Sequence, residues 1–324
     1  MATNSQVFKY FQQLPTEFRS FIIDDMEPIE RCRFSGCSKA SGKEAKASKN
    51  YIYGIEASFL NSITISVMYG KYDSHDDRRY GYVMEFFEKG DMVYKKCTNF
   101  NNETLWEMAQ EDSIDPLEDA IEEFENLLQT YQNTVRKLVI RVPSSPSHRD
   151  ALKYLDLEID SLNQLEDLTI SGHFDVHQIF SKLRRPLKKL FIDGEENSAL
   201  LASYKEMFQV EKSLIWCDAQ LNNEQFLKIS AKQVIIGVGK LTEKDIFTFI
   251  RSWQNGTMKK EIKSCRWLLE DMESNFENQK LLRLLRASKE DLKSGFMEIK
   301  HFKKAGMSAK LIIDEDYFEL MVCI

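Results

Sequence analysis

The sequence predicts an α/β protein. A three-helix N-terminal module should lead into a small antiparallel β region and then an irregular β/α arc closed by a C-terminal hairpin. Three observations predict this. Residues 14–28, LPTEFRSFIIDDMEP, carry Leu14, Phe18, Phe21, Ile22 and Met26 at offsets 0, 4, 7, 8 and 12, one stripe down a helix. Residues 51–98 alternate with period two, as half-buried strands do. From residue 135 onward the pattern apolar-x-x-apolar-x-apolar recurs, with amphipathic segments between its copies.

The opening stripe is followed by EPIERCRFSGCSK, where Pro28 suits a first helical turn and Gly36 can end the helix. The Ala/Lys-rich KASGKEAKASKN is a candidate third helix. Three helices in so few residues bury too small a fraction of their surface to stand alone. The module, residues 1–50, is therefore expected to lean on something else.

In the second segment, 51–114, ITISVMY puts Ile63, Ile65, Val67 and Tyr69 on one face and Thr64, Ser66 and Met68 on the other. YIYGIEA and RYGYVMEF are strand-like, and EKGD before MVYKKC is a turn. A small antiparallel meander is expected, with KYDSHDDRR as a loop.

The third segment, 115–324, contains VRKLVI at 135, LEDLTI at 165, LKKLFI at 187, AKQVII at 231 and IKSCRW at 262. EKSLIW at 211 fits except that Glu211 holds the first position. The steps are 30, 22, 24, 20 and 31 residues, near the leucine-rich-repeat range. PLEDAIEEFENLLQTY should be a helix burying Leu117, Ile121, Phe124, Leu127, Leu128 and Tyr131. LTEKDIFTFIRSWQNG should be another, with Thr242 as N-cap, Asp245 close to a capping box, Ile246, Phe249, Ile250 and Trp253 inward, and Gly256 past its end. Shorter helices are expected near 151–162, 177–184, 197–208, 222–229 and 278–287. Strand–helix–strand succession implies a mainly parallel sheet, and AKLIIDEDYFELMVCI reads as a hairpin turning at DED. The favoured fold is a leucine-rich-repeat-like β/α arc.

Composition narrows function. With 43% hydrophobic and 29% charged residues, the 324-residue chain has the make-up of a folded protein. Its net charge of −7 argues against a nucleic-acid partner. No stretch reaches the roughly 18 apolar residues of a membrane span, and the opening MATNSQVFKYFQQLP lacks a signal-peptide layout. The six cysteines (Cys32, Cys37, Cys97, Cys217, Cys265, Cys323) are dispersed, so buried free thiols and a cytoplasmic or nuclear location are expected.

Chemistry-bearing patterns are weak. His173 and His177 stand four apart, but Phe174 replaces the Glu of a zinc-protease helix and no third ligand is near. Cys32 and Cys37 are too far apart for C-x-x-C. IIGVGKLT lacks the glycine spacing of a phosphate loop. Ser144, Ser145 and Ser147 beside His148 sit in a Pro/Ser turn, not a nucleophile elbow. No catalytic residue, metal site or cofactor is expected.

Extended to LPTEFRSFIIDDMEPIERCRFSGCSK, the opening resembles an F-box. Leu14-Pro15, Glu17, the apolar run Phe18, Ile22 and Met26, then Pro28-Ile29, Phe34-Ser35 and Cys37-Ser38-Lys39 carry the likeness. LTEKDIFTFIRSWQNG and the closing KKAGMSAKLIIDEDYFELMV are similar to segments of the F-box-associated domain of the large nematode F-box family, although AG stands where Asp-Gly is usual. Arg31 and Arg33 also depart from the apolar or neutral residues common there. The resemblance implies a non-catalytic substrate-receptor subunit of a Skp–cullin–F-box ubiquitin ligase. Its partners would be a Skp-family adaptor, a cullin reached through that adaptor, and a target protein held by the C-terminal domain. It further implies that Leu14, Pro15, Phe18, Ile22, Met26, Ile29 and Phe34 face the adaptor or support that interface. The other reading is a repeat scaffold with no ubiquitin role, whose N-terminal helices cap the solenoid. Burial of the Leu14–Met26 face under the protein's own strands would favour that reading.

Overall fold

The computed structural model describes residues 11, 13–26, 30, 34, 37, 41, 44, 52–69, 80–110, 115–143, 161–172, 174, 176–194, 204–258, 261–269, 277–304, 306–314 and 316–323. The chain is α/β with mixed parallel and antiparallel strand pairing. It divides into two units, one of residues 1–141 and 145–165, the other of 142–144 and 166–324. Helix 116–131 and strand 137–141 thus belong with the antiparallel strands, not with the later repeats.

In the first unit, helix α1 (Thr16–Asp25) is the continuous helix described before the strands. The second and third expected helices fall largely outside the described residues, and only single positions there, such as 30, 34, 41 and 44, have helical backbone. The strands are β1 (Ile52–Phe59), β2 (Ile63–Tyr69), β3 (Tyr80–Lys89), β4 (Met92–Asn99), β5 (Thr104–Gln110) and β6 (Lys137–Arg141), in the order β6-β1-β2-β3-β4-β5. Neighbours from β1 to β5 are antiparallel, while β6 runs parallel to β1. Period-two alternation holds in part: Ile65 and Val67 are buried, as are Met84, Phe86, Val93 and Cys97, but Ile63 is only half-buried and Met68, expected on the other face, is buried as well. Strand β5 was not expected. It lies at the end of the order, exposed at almost every position, so its sequence shows no alternation of apolar and polar residues.

Helix α2 (Pro116–Tyr131) covers this sheet. Asp115 caps it by accepting the Leu117 N–H at 2.8 Å, and Pro116 occupies the first turn, where its missing N–H costs nothing. Leu117, Phe124, Leu127, Leu128 and Tyr131 are buried as expected, but Ile121 is only half-buried and Ala120 is fully inside. The Phe59 and Phe124 rings meet edge to face at 6.0 Å.

The second unit holds β7 (Asp167–Ser171), β8 (Lys189–Asp193), β9 (Ser213–Trp216), β10 (Gln233–Gly237) and β11 (Ser264–Leu268), side by side and parallel. These are the repeat strands. Their paired apolar positions (Leu168/Ile170, Leu190/Ile192, Leu214/Trp216, Val234/Ile236, Cys265/Trp267) are all buried. Between and after them come α3 (His177–Phe180), α4 (Lys205–Phe208), α5 (Asn223–Lys228), α6 (Glu243–Gln254), α7 (Asn278–Leu285) and α8 (Lys289–Ser294). Helix α6 has the full capping box: the Thr242 hydroxyl accepts the Asp245 N–H, and the Asp245 carboxylate accepts the Thr242 N–H at 2.8 Å. Phe226 of α5 and Phe249 of α6 pack on Trp267, which places these helices over the Cys265/Trp267 face of the sheet.

Strands β12 (Phe296–Lys300), β13 (Ser308–Ile313) and β14 (Tyr317–Cys323) complete the order β7-β8-β9-β10-β11-β14-β13-β12. Strands β13 and β14 pair antiparallel as the expected hairpin, and β14 also pairs antiparallel with β11. Helix α8 and strand β12 were not foreseen. FMEIK is a short outermost strand with only Ile299 fully buried.

The turns after the parallel strands stack tightly. The Gly172 N–H donates to the Asp193 carbonyl at 2.7 Å, and the Gly194 N–H to the Asp218 carboxylate at 2.9 Å. Gly172 has φ +80°, and a Cβ there would run into the Val142 carbonyl. Among the described residues the cysteines are not all buried: Cys97 and Cys265 are, whereas Cys37 and Cys323 are exposed. Cys37 follows Phe34 in a turn, and Cys323 lies at the outward end of β14, so neither position is required by a core.

Candidate functional site: the face of the first helix

Helix α1 begins abruptly. Pro15, with φ −53° and ψ 149°, is extended, yet its carbonyl accepts the Phe18 and Arg19 N–H groups at 3.0 and 3.1 Å. Glu17 stands in the first turn, where a carboxylate complements the helix dipole. The helix stops at Met26, which turns extended while its N–H still bonds back to the Ile22 and Ile23 carbonyls.

One side of α1 is held by the protein itself. Ile23 is 1% exposed and forms a cluster with Phe34, against which Phe11 and Met26 pack. The Phe11 and Phe34 rings meet edge to face at 5.1 Å. Arg19, one turn before Ile23 on the same side, pairs with Glu44 at 3.0 Å. This side fixes which way the helix rolls.

The other side is open. Leu14, Phe18 and Ile22 recur every fourth residue, and they are 36%, 63% and 38% exposed. Pro15 is exposed beside them. The single stripe read from the sequence is therefore two faces. Leu14, Pro15, Phe18 and Ile22 point outward together, Met26 is half-buried against the internal cluster, and Phe34 is buried within it. Phe34 can support an interface but cannot form its surface. Ile29 and the Phe21 side chain lie outside the described residues. Sequence reasoning missed Ile23, Phe11 and the Arg19–Glu44 pair. Ile22 and Ile23 are adjacent and equally apolar, so the pattern alone could not say which faces inward. Arg19, four residues before Ile23, marks that side as polar in the sequence, and only its pairing with Glu44 lets the side face inward.

Leu14, Phe18 and Ile22 form one exposed, uncharged apolar row along the helix. Burying each would contribute about 1.5–3 kcal/mol if it started fully exposed, and proportionately less here. Elsewhere, His177 Nδ1 is hydrogen-bonded to the Tyr204 hydroxyl, and His173 lies outside the described residues. Among the described residues no group of three or more His, Cys, Asp or Glu is arranged to hold a metal ion. No described helix is long and apolar enough to cross a membrane. No family model, curated protein or solved structure matches this chain.

Proposed function

We propose that this chain is the substrate-receptor subunit of a Skp–cullin–F-box ubiquitin ligase. Its N-terminal helix docks on a Skp-family adaptor and its C-terminal unit holds a target protein. The observation that carries the reading is the outward row Leu14, Phe18 and Ile22 on a helix whose opposite side is pinned by Ile23, Phe34 and the Arg19–Glu44 pair. Anchors at helical spacing on a rigid helix are the means by which a helix enters an apolar groove. The solenoid-cap reading needs this row covered by the protein's own strands, and the 63% exposure of Phe18 weighs against it.

The function is proximity. The receptor contributes binding, and the transfer chemistry belongs to the ligase subunits brought near the target, whose effective concentration rises there. The location this implies is cytoplasmic, nuclear or both. Co-precipitation of a Skp-family adaptor with the full chain tests the proposal. The wild type should capture it, and the Leu14→Asp/Ile22→Asp double variant should lose it while unfolding at the wild-type midpoint. Unchanged capture by the double variant rejects the F-box assignment.

A further inference from the structure

The face of the second unit's sheet opposite Trp267 carries an unexpected row. In each parallel strand, the residue between the two core positions points away from the helices. Strand register puts Thr169, Phe191, Ile215, Ile235 and Arg266 in one line across β7 to β11. Three consecutive members, Phe191, Ile215 and Ile235, are large and apolar, and all are half-buried, not covered. The core does not need them, because the helix-side positions already supply it.

The row has defined ends. On the β7 side it meets Thr169. On the β11 side it stops at Arg266, whose guanidinium donates through Nε and Nη2 to the Glu319 carboxylate at 3.0 and 2.7 Å and lies over the Tyr317 ring. Toward the strand N-termini, the next row contains Lys189 and Asp167, which pair at 3.3 Å and leave no excess charge. Toward the strand C-termini the balance is different. Asp193 is exposed on this face and Asp218 stands in the turn after β9. Among the described residues no ion pair neutralises either; Asp218 accepts only the Gly194 N–H.

We propose that this row docks an amphipathic helix with a basic flank, lying across the strands with its basic side over Asp193 and Asp218. Spacing selects a helix. Adjacent strands are about 4.8 Å apart, so Phe191 to Ile235 spans about 10 Å. Residues i and i+7 of a helix lie about 10.5 Å apart along the axis, with i+3 or i+4 midway. Same-face residues of an extended peptide repeat at about 6.7 Å and fall out of step by the third position. Charge selects the flank: the exposed Asp193 carboxylate stands at one border of the row with Asp218 in the adjoining turn, neither in an ion pair among the described residues, and the chain as a whole carries −7. The inference deepens the reading of the C-terminal unit as the target-holding part and is independent of adaptor docking.

The test uses the full chain and two labelled helical peptides of about 18 residues with the same leucine stripe at i, i+4, i+7 and i+11. One carries lysines along one flank and its twin carries glutamates, and binding is read by fluorescence anisotropy. The lysine peptide should bind at least about tenfold more tightly than the twin and should weaken with added salt. Ile235→Ser and Asp193→Lys should each weaken it about fivefold or more with the unfolding midpoint held. Ile22→Asp should leave it unchanged. Equal binding of the two peptides, or wild-type affinity in Ile235→Ser, overturns the proposal. So does a dimer in sedimentation velocity that Ile235→Ser dissolves, because a second copy would then own the row. Peptide binding that persists after adaptor capture has failed would reject the F-box reading alone.

Discussion

Replacing Phe18 by alanine separates a docking face from a structural cap, because the two roles place the cost in different measurements. Phe18 is 63% exposed, and a phenylalanine side chain offers about 200 Å² of surface. Roughly 125 Å² is therefore still in contact with water, and at about 25 cal/mol per Å² its burial by a partner is worth up to ~3 kcal/mol. Allowing for the methyl group that alanine keeps, the loss on binding should be about 2–3 kcal/mol, a ~30–150-fold weaker Kd. Folding should barely notice, with a change within about 0.5 kcal/mol, since little Phe18 surface is buried in the free chain. Ile23→Ala is the internal control. At 1% exposure it should cost about 2–4 kcal/mol of stability through lost packing with Phe11, Met26 and Phe34. Adaptor titration by calorimetry and urea unfolding of the same samples supply both numbers. A Phe18→Ala chain that loses stability as Ile23→Ala does, or binds adaptor with wild-type affinity, would refute the assignment of faces.

Three further outcomes follow from the second unit. Glu243, 3% exposed, accepts the Glu277 N–H at 2.8 Å and pairs with Lys280 at 3.1 Å, tying α7 to α6. Burial would raise its pKa, but the Glu277 and Glu243 N–H groups and the Lys280 ammonium outweigh that and hold it below the ordinary 4.5. The stability it contributes is thus present above the unfolded value and lost as pH falls through the lower folded one. Glu243→Gln should cost about 1–2 kcal/mol at neutral pH and flatten the acid limb of stability measured by denaturant titration. Arg266→Leu strands the buried Glu319 carboxylate and should cost about 1–2 kcal/mol, discounted because the arginine is about one-third exposed. Adding Glu319→Leu should recover part of that loss in a double-mutant cycle. Gly172→Ala forces a Cβ against the Val142 carbonyl at φ +80° and should lower stability by about 2 kcal/mol or more in urea unfolding.

The repeat strands were legible in the sequence because each buries two alternate apolar residues between polar neighbours, and the α6 capping box was legible because its chemistry is local. Strands β5 and β12 were not, since an outermost strand pairs on one side only and need not show a buried face. The same limit applied at α1. Which of Ile22 and Ile23 turns inward depends on Phe11 and Phe34, twelve residues before Ile23 and eleven after it, and no periodicity within the helix encodes that. The row Phe191–Ile215–Ile235 was visible as three residues but not as a line. Only strand register aligns positions twenty or more residues apart in sequence.

The slot beside β11 is filled by β14, a strand that comes later in the chain than β12 and β13. Strand β11 ends at Leu268 and its partner begins at Tyr317, so nearly fifty residues must be synthesised before that edge can pair. At about 5–20 residues per second, a row of unpaired N–H and C=O groups stays open for some 2–10 s on every nascent chain. Such an edge is a template for pairing with a neighbouring nascent chain. Premature termination anywhere between the two strands therefore yields not merely a shorter chain but a permanently open edge, a marked candidate for aggregation and disposal.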